Sequence, residues 1–156
     1  MEDWKINRHF GSEKGSSMVR TSLLRMYTAL EGFDVSTAGL YAYFRSWRNT
    51  TGDIQTKNTV WHQKEYMYVQ TGLGRTAFNS RLETLKKYGL ITELDSNRGP
   101  NKKVYYVHDP LSRDDFIKKY LREVEELVKK VEEIERKSDE NNRTLAKIAE
   151  LNRKTT

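Results

Sequence analysis

Two sets of residues in this chain have types and spacing suited to an anionic partner. The first lies between Arg75 and Lys87. Phe78, Leu82 and Leu85 recur at i, i+4 and i+7 and mark the inward stripe of a helix, which leaves Arg75, Thr76, Asn79, Ser80 and Glu83 facing outward. Arg75 and Asn79 are four apart and share a face; arginine can bridge O6 and N7 of guanine, and asparagine can bridge N6 and N7 of adenine. Lys86 and Lys87 fall in the last turn, where cations either reach DNA or complement the negative end of the helix dipole. The second set is Arg98, Lys102 and Lys103, which flank Gly99-Pro100-Asn101. A basic loop tip of this kind suits phosphates or the minor groove, contacts that supply affinity more than sequence choice.

Nothing in the chain has the spacing of a catalytic site. His9, His62 and His108 are far apart, and the absence of cysteine removes thiolate metal sites, disulfides and a cysteine nucleophile together. Asp114-Asp115 is a carboxylate pair at a helix start, where it complements the dipole. Gly72-x-Gly74 is too short for a dinucleotide fingerprint, and Gly11-Ser-Glu-Lys-Gly-Ser-Ser lacks phosphate-loop spacing. The expectation is a binding protein, not an enzyme, without metal or cofactor.

The elements around Arg75–Lys87 follow from punctuation and period. Residues 1–17 have no sustained period and read as a flexible arm. Leu23, Leu24, Tyr27 and Leu30 share one helical face that ends near Gly32. Ser36 is the expected N-cap of a helix whose inner stripe is Leu40, Phe44 and Trp47. A polar loop over 49–58 leads to a short strand at Val60-Trp61 and a helix over 62–71. Thr71-Gly72-Leu73-Gly74 makes a tight turn, with Gly74 in the N-cap place, and Gly89 stops the following helix in the left-handed conformation. Leu90–Leu94 and Val104–Val107 then read as two strands around the turn formers at 95–101. Helix, turn, helix and hairpin in this order predict a winged helix-turn-helix domain over 18–111.

Beyond Pro110 there is no further glycine or proline, and Ser112 with Asp115 resembles a capping box. Ile117, Val124 and Val131 occupy a positions of a heptad, and Tyr120, Leu127 and Ile134 occupy d. The register then meets Ser138 and Asn141 before apolar residues return at Leu145 and Ile148. Residues 112–156 therefore read as a long helix that pairs two copies as a coiled coil or docks a partner. The expected class is α+β, mostly α.

The chain has 156 residues and net charge +6. Residues 1–111 hold 16 Lys and Arg against 11 Asp and Glu, while residues 112–156 hold 12 against 11, so the excess lies on the winged-helix half. No stretch approaches a membrane span, and the acidic start Met1-Glu2-Asp3-Trp4 does not read as a signal peptide. A cytoplasmic address is expected.

Residues of roughly 18–111 resemble the N-terminal winged-helix domains of plasmid and phage replication initiators and DnaD-like replication proteins. The resemblance rests on Ser36-Thr-Ala-Gly-Leu-Tyr-Ala-Tyr-Phe, Thr71-Gly-Leu-Gly-Arg-Thr-Ala-Phe, Leu85-Lys-Lys-Tyr-Gly-Leu-Ile and Val104-Tyr-Tyr-Val. It implies binding of double-stranded DNA through the helix at Arg75–Tyr88, in replication, segregation or transcriptional control of a mobile element. The long helix stands where larger initiators carry a further module. An adaptor that docks a replication or partition partner is the alternative.

Overall fold

Caps and left-handed residues divide the chain into short elements, and buried aromatics then hold those elements together. The computed structural model describes residues 2–11, 17–96, 99, 102–137 and 141–155. They form two compact units, Met1–Asp114 and Asp115–Thr156. The class is α+β and mostly helical, with one small antiparallel sheet.

The first unit starts with α1 (Asp3–Phe10), a helix inside the segment expected to be an irregular arm. None of its residues is buried, so its period leaves no core stripe to read. Its end is fastened by polar bonds instead: the His9 carbonyl accepts from Tyr66 Oη and, at 2.6 Å, from Gln70 Nε2. Next come α2 (Thr21–Arg25) and a single 3-10 turn (Tyr27–Ala29), which split the continuous helical face expected from Leu23 to Leu30. The bonds Ala29 N to Met26 O and Leu30 N to Tyr27 O tighten the chain here. Leu23, Tyr27 and Leu30 still turn inward, whereas Leu24 is exposed.

Helix α3 (Val35–Trp47) is capped by Asp34, two residues before the expected cap Ser36. Asp34, extended at φ −125°, accepts from Thr37 N at 2.8 Å and from Thr37 Oγ1 at 2.9 Å. Ser36 lies in the first turn, and its hydroxyl accepts from Arg81 Nε at 2.7 Å. Strand β1 is Thr59–Val60, one residue earlier than expected, and Trp61 leaves the sheet. Helices α4 (Lys64–Thr71) and α5 (Arg75–Lys87) follow, joined through Gly72 in the left-handed conformation at φ 68°. Helix α5 ends in a Schellman motif: Leu90 N bonds Leu85 O, Gly89 N bonds Lys86 O, and Gly89 has φ 73°.

Strands β2 (Ile91–Asp95) and β3 (Lys103–Val107) form a hairpin, and β1 adds to the other side of β3, giving the order β1-β3-β2. The register pairs Glu93 with Tyr105 and Asp95 with Lys103, while Val60 pairs Tyr105 on the far side. Phe44 of α3 meets Phe78 of α5 at 6.1 Å and Tyr105 of β3 at 5.2 Å, so one ring joins two helices and the sheet. Burying each such ring stabilises the fold by about 1.5–3 kcal/mol. The predicted stripe Phe78, Leu82 and Leu85 is fully buried. Past β3, Tyr41 Oη donates to His108 O at 2.6 Å, and Arg45 and Arg48 grip Asp109 at 2.7 and 3.1 Å. These bonds tie the exit strand back to α3.

Three helices follow: α6 (Arg113–Lys119), which crosses the boundary between the units, α7 (Leu121–Arg136) and α8 (Asn141–Thr155). The single uninterrupted helix expected over 113–137 is kinked at Tyr120, which has φ −122° and ψ 40°. No glycine or proline announces the kink. It falls where the Tyr120 ring packs 5.0 Å from the buried ring of Phe116, and the bonds Tyr120 N to Phe116 O and Val124 N to Tyr120 O continue on both sides. Of the heptad residues, Ile117, Tyr120, Val124 and Leu127 are half-buried, and Val131 and Ile134 are exposed. Ser138 and the side chain of Asn141 lie outside the described residues. Among the described residues no helix is long and apolar enough to cross a membrane.

Candidate nucleic-acid interface

Helix α5 sits with one face on α3 and β2, which orients its other face outward. Arg75, Thr76, Ser80, Glu83 and Lys87 are the exposed residues among those expected to reach a partner. Asn79 is not among them. It is half-buried, its Nδ2 donates to Tyr68 Oη at 3.3 Å, and its Oδ1 is buried without a partner. The cause is Tyr68, which packs edge-on against Phe78 at 5.1 Å and so stands beside the Asn79 amide. Arg75 and Asn79 therefore do not present equal, free faces.

The cations at the end of α5 differ from one another. Lys86 is held between Glu83 at 2.9 Å and Glu93 at 3.5 Å, and the bond it donates to Glu83 chiefly raises its pKa. Lys87 is exposed, with its ammonium 5.2 Å from the centre of the Tyr88 ring. Arg81, which the spacing did not single out, is committed inward to Ala77 O at 3.0 Å and Ser36 Oγ at 2.7 Å.

In the hairpin, Lys103 is paired across the strands with Asp95, and that pairing raises the lysine's pKa and lowers the aspartate's. Lys102 is exposed and in no ion pair among the described residues. Arg98 lies outside the described residues. The loop is closed by Ser96 N to Lys102 O at 3.0 Å and Lys102 N to Gly99 O at 3.2 Å. Free positive charge is thus offered at Arg75, Lys87 and Lys102, on two elements held against a common core.

A polar cluster ties α4 to α3 and to the end of α1. Gln70 Oε1 accepts from Tyr43 Oη at 2.6 Å and from Trp47 Nε1 at 3.0 Å, and its Nε2 donates to His9 O and Tyr66 Oη. Burial pushes the Tyr43 phenol up to about 12. His62 lies 4.7 Å from Trp47 and stacks on Tyr66 at 5.1 Å, and burial lowers its pKa. These residues carry no spacing signal, because the cluster joins positions far apart in the chain.

Sequence reasoning also missed a groove of about 710 Å³ between the starts of α4 and α5 and the hairpin. Trp61, Lys64 and Glu65 line it with Arg75, Glu93, Lys102 and Tyr105. The groove exists only once β1 has paired with β3. No family model, curated protein or solved structure matches the chain.

Proposed function

We propose that the first unit is a winged helix-turn-helix domain that binds double-stranded DNA, and that the chain acts as a binder, not as an enzyme. The observation that carries this reading is the order α3-β1-α4-α5-β2-β3 with sheet order β1-β3-β2, which puts exposed Arg75 and Lys102 on neighbouring elements. In such a domain the second helix of the pair enters the major groove and the hairpin flanks it. Arg75, Thr76 and Ser80 then face bases or phosphates, and Lys102 and Lys87 take phosphates. Asn79 acts by holding Tyr68, and reads a base only if that bond opens.

The resemblance to initiator domains is what supports a role in replication, segregation or transcriptional control of a plasmid, phage or other mobile element, in the cytoplasm. Pairing of two copies through the second unit is part of the same reading. Leu145 and Ile148 lie two heptads beyond Val131 and Ile134, so the heptad spacing returns in the sequence of α8. Lys130 at g and Glu135 at e attract each other across a parallel pair. Docking of a replication or partition protein on that same stripe is the second reading, favoured by the exposure of Leu145, Ile148 and Leu151.

Gel-shift titration on DNA from a site selection, at two salt concentrations, tests the duplex reading. Arg75→Ala is expected to cost about 1–3 kcal/mol on the preferred site and to relax its preference, while Lys102→Ala lowers the salt slope by about one for all sequences. Absence of any shift at low salt ends the reading.

A further inference from the structure

The groove beside α5 has more built into it than duplex binding requires. Lys64, Arg75 and Lys102 reach it from three elements, and among the described residues none of the three is in an ion pair. Of the acids, Glu93 is engaged by Lys86 at 3.5 Å, which leaves Glu65 to oppose the three cations. Both helices that open onto the groove start without a capping side chain, at Gln63 and at Gly74. No side chain of the cap residue takes a first-turn N–H at either start, and the positive ends of the two dipoles favour an anion there.

An independent observation comes from the sheet. Tyr105 is 1% exposed and lines the groove, yet its hydroxyl has no hydrogen-bond partner. A buried donor left unpaired is costly, and an acceptor oxygen brought by a ligand removes that cost. Burial, with Glu93 and Glu65 nearby, holds the phenol well above its ordinary pKa, so at neutral pH it has a proton to donate. The groove is larger than a phosphate needs and falls within the roughly 300–1,000 Å³ of small-molecule sites. Trp61 supplies a half-exposed indole on the lining, fixed by its Nε1 bond to Thr59 Oγ1 at 2.8 Å, and an aromatic face of this kind stacks a base.

We propose that this groove binds a free nucleoside phosphate, its phosphate held by Lys64, Arg75 and Lys102 with the Tyr105 hydroxyl donating to it, and its base against Trp61. The site does not depend on the duplex reading. It shares Arg75 and Lys102 with the proposed DNA face, so a bound nucleotide and a duplex compete for those two side chains. The same chemistry also occurs in a nucleic-acid strand, and the experiment separates the two sources.

The test is thermal unfolding of the full chain with ATP, with inorganic phosphate and with a short single-stranded oligonucleotide, all at matched ionic strength. ATP is expected to raise the Tm of the parent chain. Tyr105→Phe keeps the ring in the core, has a ligand-free Tm no lower than the parent's because the unpaired hydroxyl is gone, and binds ATP roughly tenfold more weakly, the loss of one hydrogen bond to a charged acceptor. Lys64→Gln, away from the core, weakens ATP binding as well and serves if Tyr105→Phe fails to fold. An absent ATP shift overturns the proposal, as does an equal ATP response in both variants and the parent. Inorganic phosphate matching ATP overturns the base contact with Trp61. An oligonucleotide shift that needs Tyr105, with no response to ATP, overturns the free ligand in favour of a strand. A parent chain that shifts duplex but ignores ATP sinks this site alone; one that binds ATP but no duplex sinks the duplex reading alone.

Discussion

The two units place their apolar side chains in opposite ways. In residues 21–107 the aromatics meet each other: Phe44 touches Phe78 and Tyr105, and Tyr68 closes against Phe78. In α7 and α8 the apolar side chains form stripes that the rest of their own unit leaves largely uncovered, with Ile134 at 69% exposure. A stripe without a core is stable only if something covers it, because isolated helices of this length are marginal in water. The first unit carries its own reason to fold, and the second carries a reason to associate.

The sharpest way to break that contrast is a matched truncation in each unit. Phe78→Ala empties a fully buried site and should cost about 3–5 kcal/mol, a large part of the roughly 5–15 kcal/mol that holds a domain. Ile134→Ala should change stability by no more than about 0.5 kcal/mol in dilute solution. Denaturant unfolding of the full chain reads both. Equal losses would show that Ile134 is covered by its own chain, and the two units would no longer differ in kind.

Association is the next test. Val124→Asp with Val131→Asp puts charge at two a positions, and sedimentation should find a monomer where the parent chain is a dimer, at on the order of tens of micromolar. The melting of the first unit should stay as it was. A parent chain that already sediments as a monomer removes the pairing claim and leaves the stripe to another protein.

What the sequence discloses follows the same division. Phe78, Leu82 and Leu85 were legible because a helix buried on one side leaves a spacing, and Gly89 was legible because the left-handed stop needs glycine. The groove was not, since Lys64, Arg75, Lys102 and Tyr105 come together only through strand pairing. Asn79 was misread for a related reason: a polar residue at an outward-looking position is drawn in by Tyr68, eleven residues earlier on another helix. The kink at Tyr120 involves neither glycine nor proline, and it accompanies the burial of Phe116.

The start of α3 shows how two candidate caps are decided. Asp34 and Ser36 both have capping side chains, and Arg81 on α5 takes the serine hydroxyl, leaving Asp34 to Thr37. The backbone N–H of Thr37, more than its hydroxyl, holds the Asp34 carboxyl below its ordinary value of 3.8. A depressed folded pKa means stability that is present above the unfolded pKa and lost as pH falls through the folded one. Asp34→Ala should therefore cost about 1 kcal/mol at neutral pH. The difference from the parent should hold down to about pH 5 and shrink below 3.8. Melting curves across pH, with Asp34→Asn as a cap that does not titrate, check the assignment. A difference that persists unchanged into strong acid would mean the carboxylate is not the cap.

The smallest effect bears most directly on the candidate interface. Helix α5 starts at Gly74, which has φ −64° and ψ 159°, an ordinary extended conformation, and a Cβ built there meets nothing within 4 Å. Gly74→Ser is therefore accommodated without strain and adds a hydroxyl that can accept from a first-turn N–H. Serine gains only a few tenths of a kcal/mol over glycine at an N-cap, so Tm should rise slightly. The same hydroxyl occupies a donor that an incoming phosphate would use. If the start of α5 is an anion site, the variant is a little more stable alone and gains less from ATP than its parent. A rise in Tm with an unchanged ATP response would place the anion away from the start of α5, on Lys64, Lys102 and Tyr105.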